Sequence, residues 1–100
     1  HINSIGFDQE DVKPDDKLYI FLNFENHGDI DLNNIRVKAI IRELGIRSRT
    51  IKAMVDDDEQ SSKFLSLYIP YYAMPGTYYV EIVIDLDGER RIKYRPINII

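Results

Sequence analysis

The chain has no cysteine and no tryptophan. The first absence removes disulfide scaffolds, thiol nucleophiles and every cysteine-ligated zinc site, so stability must come from packing. Net stabilities of ~5–15 kcal/mol do not require crosslinks, and a missing cysteine therefore leaves the cellular compartment open. The second absence takes away the side chain with the largest stacking surface, which counts against sugar recognition. No glycine-rich phosphate loop is present, and none of the five serines (Ser4, Ser48, Ser61, Ser62, Ser66) sits in a Gly-x-Ser-x-Gly setting. No stretch approaches the ~20 apolar residues of a membrane-spanning helix, and no charged-then-apolar leader opens the sequence. Basic residues are in the minority, 13 against 17 acidic, for a net charge of −4. Phosphate attraction then has little to work with, and no nucleic-acid partner is expected. The sequence starts at His1 rather than Met, from which the removal of something upstream is expected.

What is present is a period of two. After Pro75-Gly76-Thr77, the residues Tyr78, Val80, Ile82, Ile84 and Leu86 fall at alternate positions. Strand side chains alternate between faces, so this row predicts the core side of a sheet, with Tyr79, Glu81 and Asp85 turned outward. Leu18, Ile20, Leu22 and Phe24 repeat the pattern, as do Ile35, Val37, Ala39 and Ile41, with Arg36, Lys38 and Arg42 opposite. Further strands are predicted over Ile2 to Phe7, from Phe64 to Ile69 and from Glu89 to Ile100, and an edge strand over Ile46 to Val55, where interspersed charges discourage edge pairing. Asp87-Gly88 is a two-residue hairpin signal, and Gly45 is predicted to bend the chain. About seven short strands at ~8–12-residue spacing predict an all-β, immunoglobulin-like antiparallel β-sandwich. A length of 100 residues with 44% hydrophobic content fits one domain over residues 1–100.

The order of these motifs resembles CARDB-type and related immunoglobulin-like modules of archaeal and bacterial cell-surface proteins. It is carried by Val12-Lys13-Pro14-Asp15-Asp16, Asn26-His27-Gly28, Asp31-Leu32-Asn33-Asn34-Ile35-Arg36-Val37, and Ile69-Pro70 followed by Pro75-Gly76-Thr77-Tyr78. Asp15 stands where such modules often have glycine, so the first turn is expected to differ in type. The resemblance implies a spacer or adhesion unit with no catalytic set to transfer.

Acidic clusters supply the only metal candidates. Asp56, Asp58 and Glu59 offer hard oxygen ligands of the kind Ca²⁺ takes, although an Asp-x-Asp-x-Asp-Gly spacing is missing and a solvated acidic turn explains the same residues. Asp29, Asp31 and Asn33 have alternate spacing without an EF-hand's glycine and distal glutamate. His1 and His27 lie at a terminus and beside a turn. No cofactor is expected. Tyrosine offers apolar area with a polar tip and suits contact surfaces, and Tyr71, Tyr72 and Tyr79 are expected outside. Positive charge gathers over Arg36 to Lys52 and Arg90 to Arg95 while acids gather elsewhere, a polarity that can orient identical copies head to side. The first and last strands, through Ile2, Ile5, Ile97 and Ile99, are candidates for adding to a neighbour's sheet; pairing within their own sandwich is the competing expectation.

The expected function is a non-catalytic structural or adhesion module of a microbial cell-surface protein, fibre or surface layer. It would be extracellular or at the cell surface, with neighbouring domains or identical subunits as partners. The alternative is an accessory carbohydrate- or calcium-binding module attached to a secreted enzyme.

Overall fold

The structure, a computed structural model, describes residues 2–26, 32–55 and 60–100. Its strands are β1 (Ile2–Phe7), β2 (Asp11–Val12), β3 (Lys17–Glu25), β4 (Leu32–Ile41), β5 (Ile46–Arg47), β6 (Ile51–Val55), β7 (Gln60–Tyr68), β8 (Gly76–Leu86) and β9 (Glu89–Ile99), with a 3-10 turn at Arg42–Leu44. They form two sheets. One is β1-β3-β7; the other runs β2-β9-β8-β4-β5, with β6 also on β4. The all-β sandwich is as expected, with nine strands among the described residues where about seven were predicted.

The rows of period two meet between the sheets. Leu18, Ile20, Leu22, Phe24, Leu65 and Leu67 from the three-stranded sheet pack against Ile35, Val37, Ile41, Val80, Ile82 and Ile84 from the other, all buried. Burying each such side chain contributes about 1.5–3 kcal/mol, which is why one alternation dictates both the strand and its facing. The edges depart from the simple pattern. The predicted Ile46 to Val55 strand is broken into β5 and β6, both on the outer edge of β4. β2 pairs in parallel with β9, Asp11 beside Asn98 and Val12 beside Ile99. The antiparallel expectation therefore fails at this one ladder, where Val12 is drawn out of an acidic loop because its side chain completes the core.

Three turns set the frame. Asp87 and Gly88 both have positive φ, 49° and 88°, the combination that matches the twist of a two-residue hairpin. Gly45 closes the 3-10 turn in the left-handed region. Asp15 also has φ 72°, after Pro14 and below an Asp16 N–H donated to the Lys13 carbonyl at 3.1 Å. That is the pattern of a type II turn, in which aspartate occupies the position that glycine favours.

Candidate functional site

Among the described residues three exposed surfaces group aromatic side chains, and the outer face of the six-stranded sheet is the most developed. Residues directly opposite in a sheet share a face. Register therefore lines up Pro96–Tyr79, Tyr94–Glu81–Ile40 and Ile92–Val83–Lys38, then Arg90–Asp85–Arg36 with Lys52 beyond. Tyr79 and Tyr94 are 57% and 55% exposed, and Ile92 joins them. Glu81, expected outward, does lie on this face but is only 5% exposed. Arg42 closes over it from the 3-10 turn, Nε to Oε2 at 2.5 Å and Nη2 to Oε1 at 3.2 Å. Hydrogen bonding and charge from Glu81 raise the Arg42 pKa above its already high ordinary value. Asp85 does the same for Arg90, whose Nε lies 3.1 Å away. A small cleft of about 120 Å³ opens between Arg42, Glu43, Tyr79, Glu81 and Tyr94. In all, Arg36, Lys38, Arg42, Arg47, Lys52 and Arg90 share this face with Glu43, Glu81, Asp85 and, beside Asn98 at its β2 edge, Asp11, six cations and four carboxylates.

The second surface is the loop end of the sandwich. Asp15 N–H donates to the Ile69 carbonyl at 2.8 Å and Ile69 N–H to the Asp16 carbonyl at 2.9 Å, which ties the β2–β3 turn to the segment after β7. The Tyr68 hydroxyl donates to the Asp15 carboxylate. The buried Tyr78 hydroxyl donates to the Met74 carbonyl at 2.7 Å and fixes the loop above it. Tyr71 and Tyr72 then stand exposed in an edge-to-face pair, centroids 5.5 Å apart. Asp15 and Asp16 lie on the turn tied to this segment, with Lys13 in the same turn.

The third is the outer face of the three-stranded sheet. Phe21 and Phe64 are cross-strand neighbours, 50% and 60% exposed, and Tyr19 leans on Phe64 at 6.1 Å. Gly6 lies beside Phe21 on the other flank. The next row is polar, Ser4–Asn23–Ser62, and the Asn23 Oδ1 is buried without a hydrogen-bond partner among the described residues. Together these rows line a groove of about 460 Å³, with Lys63 at its rim.

Tyr71, Tyr72 and Tyr79 are exposed as expected, the first two on the loop end and the third on the sheet face. Ile97 and Ile99, at 3% and 2% exposure, fill the core opposite Tyr78 and Gly76, and their strand lies between β2 and β8. Ile5 is half-buried against the same core. Ile2 lies in β1 opposite Phe24, with its side chain outside the described residues. Asp56, Asp58, Glu59, Asp29, Asp31, His1 and His27 also lie outside them. Among the described residues no group of three or more His, Cys, Asp or Glu is placed to hold a metal ion, and no helix is long and apolar enough to cross a membrane. Sequence reasoning missed the Arg42–Glu81 pair, Tyr94 with Ile92, and Phe21 with Phe64. The last pair carried a signal, since each is an aromatic residue in the outward phase of its strand.

No family model matches the chain, and no curated protein matches it. Solved structures do. The alkylpurine DNA glycosylase AlkC of Pseudomonas fluorescens, bound to DNA containing an abasic site analogue, superposes with a TM-score of 0.72 at 13% identity over 99% of this chain. The chain spans 30% of that protein's length. A CARDB domain from Pyrococcus furiosus, in complex with di-metal ions, gives 0.69 at 14% identity, covering 96% of this chain and 84% of that one. A Niemann-Pick type C2 protein from Japanese carpenter ant gives 0.65 at 9% identity, covering 99% and 91%. Identities this low establish a shared β-sandwich fold alone, and the CARDB resemblance holds at that level.

Proposed function

We propose that the chain is a non-catalytic interaction module of a microbial cell-surface protein, acting outside the cell through protein–protein contacts. The observation that carries this reading is the outer face of the six-stranded sheet, where exposed Tyr79, Tyr94 and Ile92 surround a buried Glu81 bridged by Arg42. Tyrosine and arginine dominate the energetically important centres of protein interfaces because they bury large area with a polar end still satisfied. A CARDB domain among the structural neighbours fits a surface module. The test is cross-linking mass spectrometry on the immobilised chain with extracts of its own cell surface, comparing wild type with Tyr79→Ser/Tyr94→Ser. Cross-links that map to this face and vanish in the variant support the reading; identical cross-links from both proteins sink it.

A second reading, an accessory carbohydrate-binding module, is favoured by the groove on the other sheet. An aromatic row (Phe21, Phe64) beside a hydroxyl and amide row (Ser4, Asn23, Ser62) offers a stacking surface and hydrogen-bond partners to a neutral sugar. Backbone NMR shifts at Gly6, Phe21, Asn23 and Phe64 on titration with cellohexaose, maltohexaose or mannohexaose would support it. Unmoved resonances with all three would remove it.

A further inference from the structure

Among the described residues, β9 has a neighbour on one side only for most of its length. Its ladder with β8 is unbroken from Glu89 to Leu86's partner end at Ile99, but β2 reaches its other edge only at Asn98 and Ile99. The Ile100 N–H donates to the Val12 carbonyl at 3.0 Å. Backbone groups alternate in direction along a strand, so the even-numbered residues turn their N–H and C=O to the β2 side. No described strand pairs with that edge at Arg90, Ile92 or Tyr94. The Tyr94 carbonyl takes a side-chain donor instead, Arg95 Nη1 at 2.8 Å. Pro96, which has no N–H to give a ladder, falls in the same phase, where a strand tolerates proline.

The side chains beside this open edge are cationic. Arg91, Lys93 and Arg95 form a row opposite the buried Ile84, Ile82 and Val80, yet they stay exposed or half-exposed. Asp85 pairs with Arg90 at 3.1 Å and Glu89 with Arg91 at 3.9 Å, whereas Lys93 and Arg95 make no ion pair among the described residues. Glu10 and Asp11 stand past Pro96, where β2 closes the edge. The opposite side of the strand carries the exposed Ile92 and Tyr94. Two such edges brought together would set cation against cation, which keeps copies of the chain from pairing here. An acidic strand meets the reverse situation. Its alternate residues repeat every ~6.6–6.8 Å, as those of β9 do, and opposite charges directly across a ladder attract.

Resting on the interaction-module reading and naming a kind of partner for it, we infer that β9 accepts an extended acidic segment of another protein as an added strand. Carboxylates at alternate positions of that segment face Arg91, Lys93 and Arg95, and the apolar side chains between them lie beside Ile92 and Tyr94. Main-chain bonds to Arg90, Ile92 and Tyr94 supply affinity; the charged row selects the sequence.

The test is amide hydrogen exchange and NMR titration of the whole chain with short capped peptides, each taken to about 1 mM. In the first, glutamate alternates with valine; in the second, lysine alternates with valine; the third holds the residues of the first with its glutamates consecutive. The first peptide is expected to slow exchange at the Arg90, Ile92 and Tyr94 amides and the others to bind at least roughly tenfold more weakly. Lys93→Glu/Arg95→Glu is expected to reverse the preference between the glutamate and lysine peptides. Should its melting curve show it unfolded, Ile92→Pro takes its place, since it removes an edge-facing N–H and is expected to abolish binding. Three results overturn the inference: no protection from the first peptide, equal binding of the peptide with consecutive glutamates, or equal binding of the lysine peptide. Shifts along this edge with heparin and with none of the peptides also overturn it, in favour of a polyanion site. The cross-links at Tyr79 and Tyr94 are read separately, so a failure of strand addition is distinguishable from a failure of the broader reading.

Discussion

Glu81 occupies a solvent-side position of the central strand β8, and Arg42, 39 residues earlier, lies over it with two hydrogen bonds to its carboxylate. The relationship is lopsided. The side chain of Glu81 is 6% exposed while that of Arg42 is 72% exposed, so one partner needs the other far more than the reverse. Burial of a carboxylate is tolerated only when it is paired and hydrogen-bonded. Arg42 is therefore both the cover of the sheet face and the reason a charge can sit in it.

Arg42→Ala is expected to lower the melting temperature, by roughly 5 °C or more, because Glu81 is left covered by neighbours without its counter-charge. Arg42→Ala/Glu81→Leu is expected to recover most of the loss, since an apolar side chain suits the flanking Ile40, Val83 and Tyr94. Thermal denaturation of the two variants decides it: equal losses would mean the pair is not energetically coupled.

Two glycines should respond to alanine in opposite directions. Gly88 has φ 88° and open space where a Cβ would lie, so its substitution costs only the left-handed conformation, about 1–2 kcal/mol. Gly6 in β1 has neither a positive φ nor an obstacle within 4 Å of a built Cβ, and Gly6→Ala is expected to stabilise by roughly 0.5–1 kcal/mol through a less free unfolded chain. Urea unfolding of both checks the contrast.

The main strands were legible in the sequence because burial and alternation coincide in them. β3 and β8 have each inward residue apolar, and Asp87-Gly88 states its own hairpin. Exceptions arise where the sheets do not cover each other. Arg91, Lys93 and Arg95 share a face of β9 with Ile97 and Ile99 yet stay exposed or half-exposed, so its core-facing side reads as polar over half its length. β7 begins at Gln60 rather than Phe64 because backbone pairing with β3 continues through Lys63, Ser62 and Ser61, a cause no hydropathy pattern contains. The contact tyrosines were recognisable singly. Their grouping was not, because Tyr94 meets Glu81 only through the β8–β9 register.

Ser48 bridges the gap between β5 and β6. Its hydroxyl accepts the Ala39 N–H at 2.9 Å and donates to the Arg49 carbonyl at 2.8 Å, while its own N–H donates to the Ala39 carbonyl at 2.8 Å. Ser48→Ala is expected to cost about 1–3 kcal/mol, the penalty of a buried donor left without a partner, and Ser48→Thr to retain the bond. Faster hydrogen exchange at the Ala39 amide in the alanine variant would locate the defect; unchanged exchange would show that the hydroxyl is dispensable.

Tyr68 and Asp15 give the loop end a pH dependence with a defined sign. The hydrogen bond to the Asp15 carboxylate holds the Tyr68 proton and raises its pKa above the ordinary value of 10.0; partial burial and the negative charge act the same way. A folded-state pKa above the unfolded one means the folded chain binds more protons at alkaline pH. Stability from this contact is then fully present below about pH 10 and is lost as pH rises through the folded value. Tyr68→Phe removes the contact and its titration together. The stability difference between wild type and Tyr68→Phe, measured by urea unfolding at a series of pH values, is expected to be constant below about pH 9 and to shrink above about pH 10. A difference that stays level into strong alkali would show that the hydroxyl does not bond Asp15 in solution, and with it that the β2–β3 turn is anchored to the post-β7 segment by backbone hydrogen bonds alone.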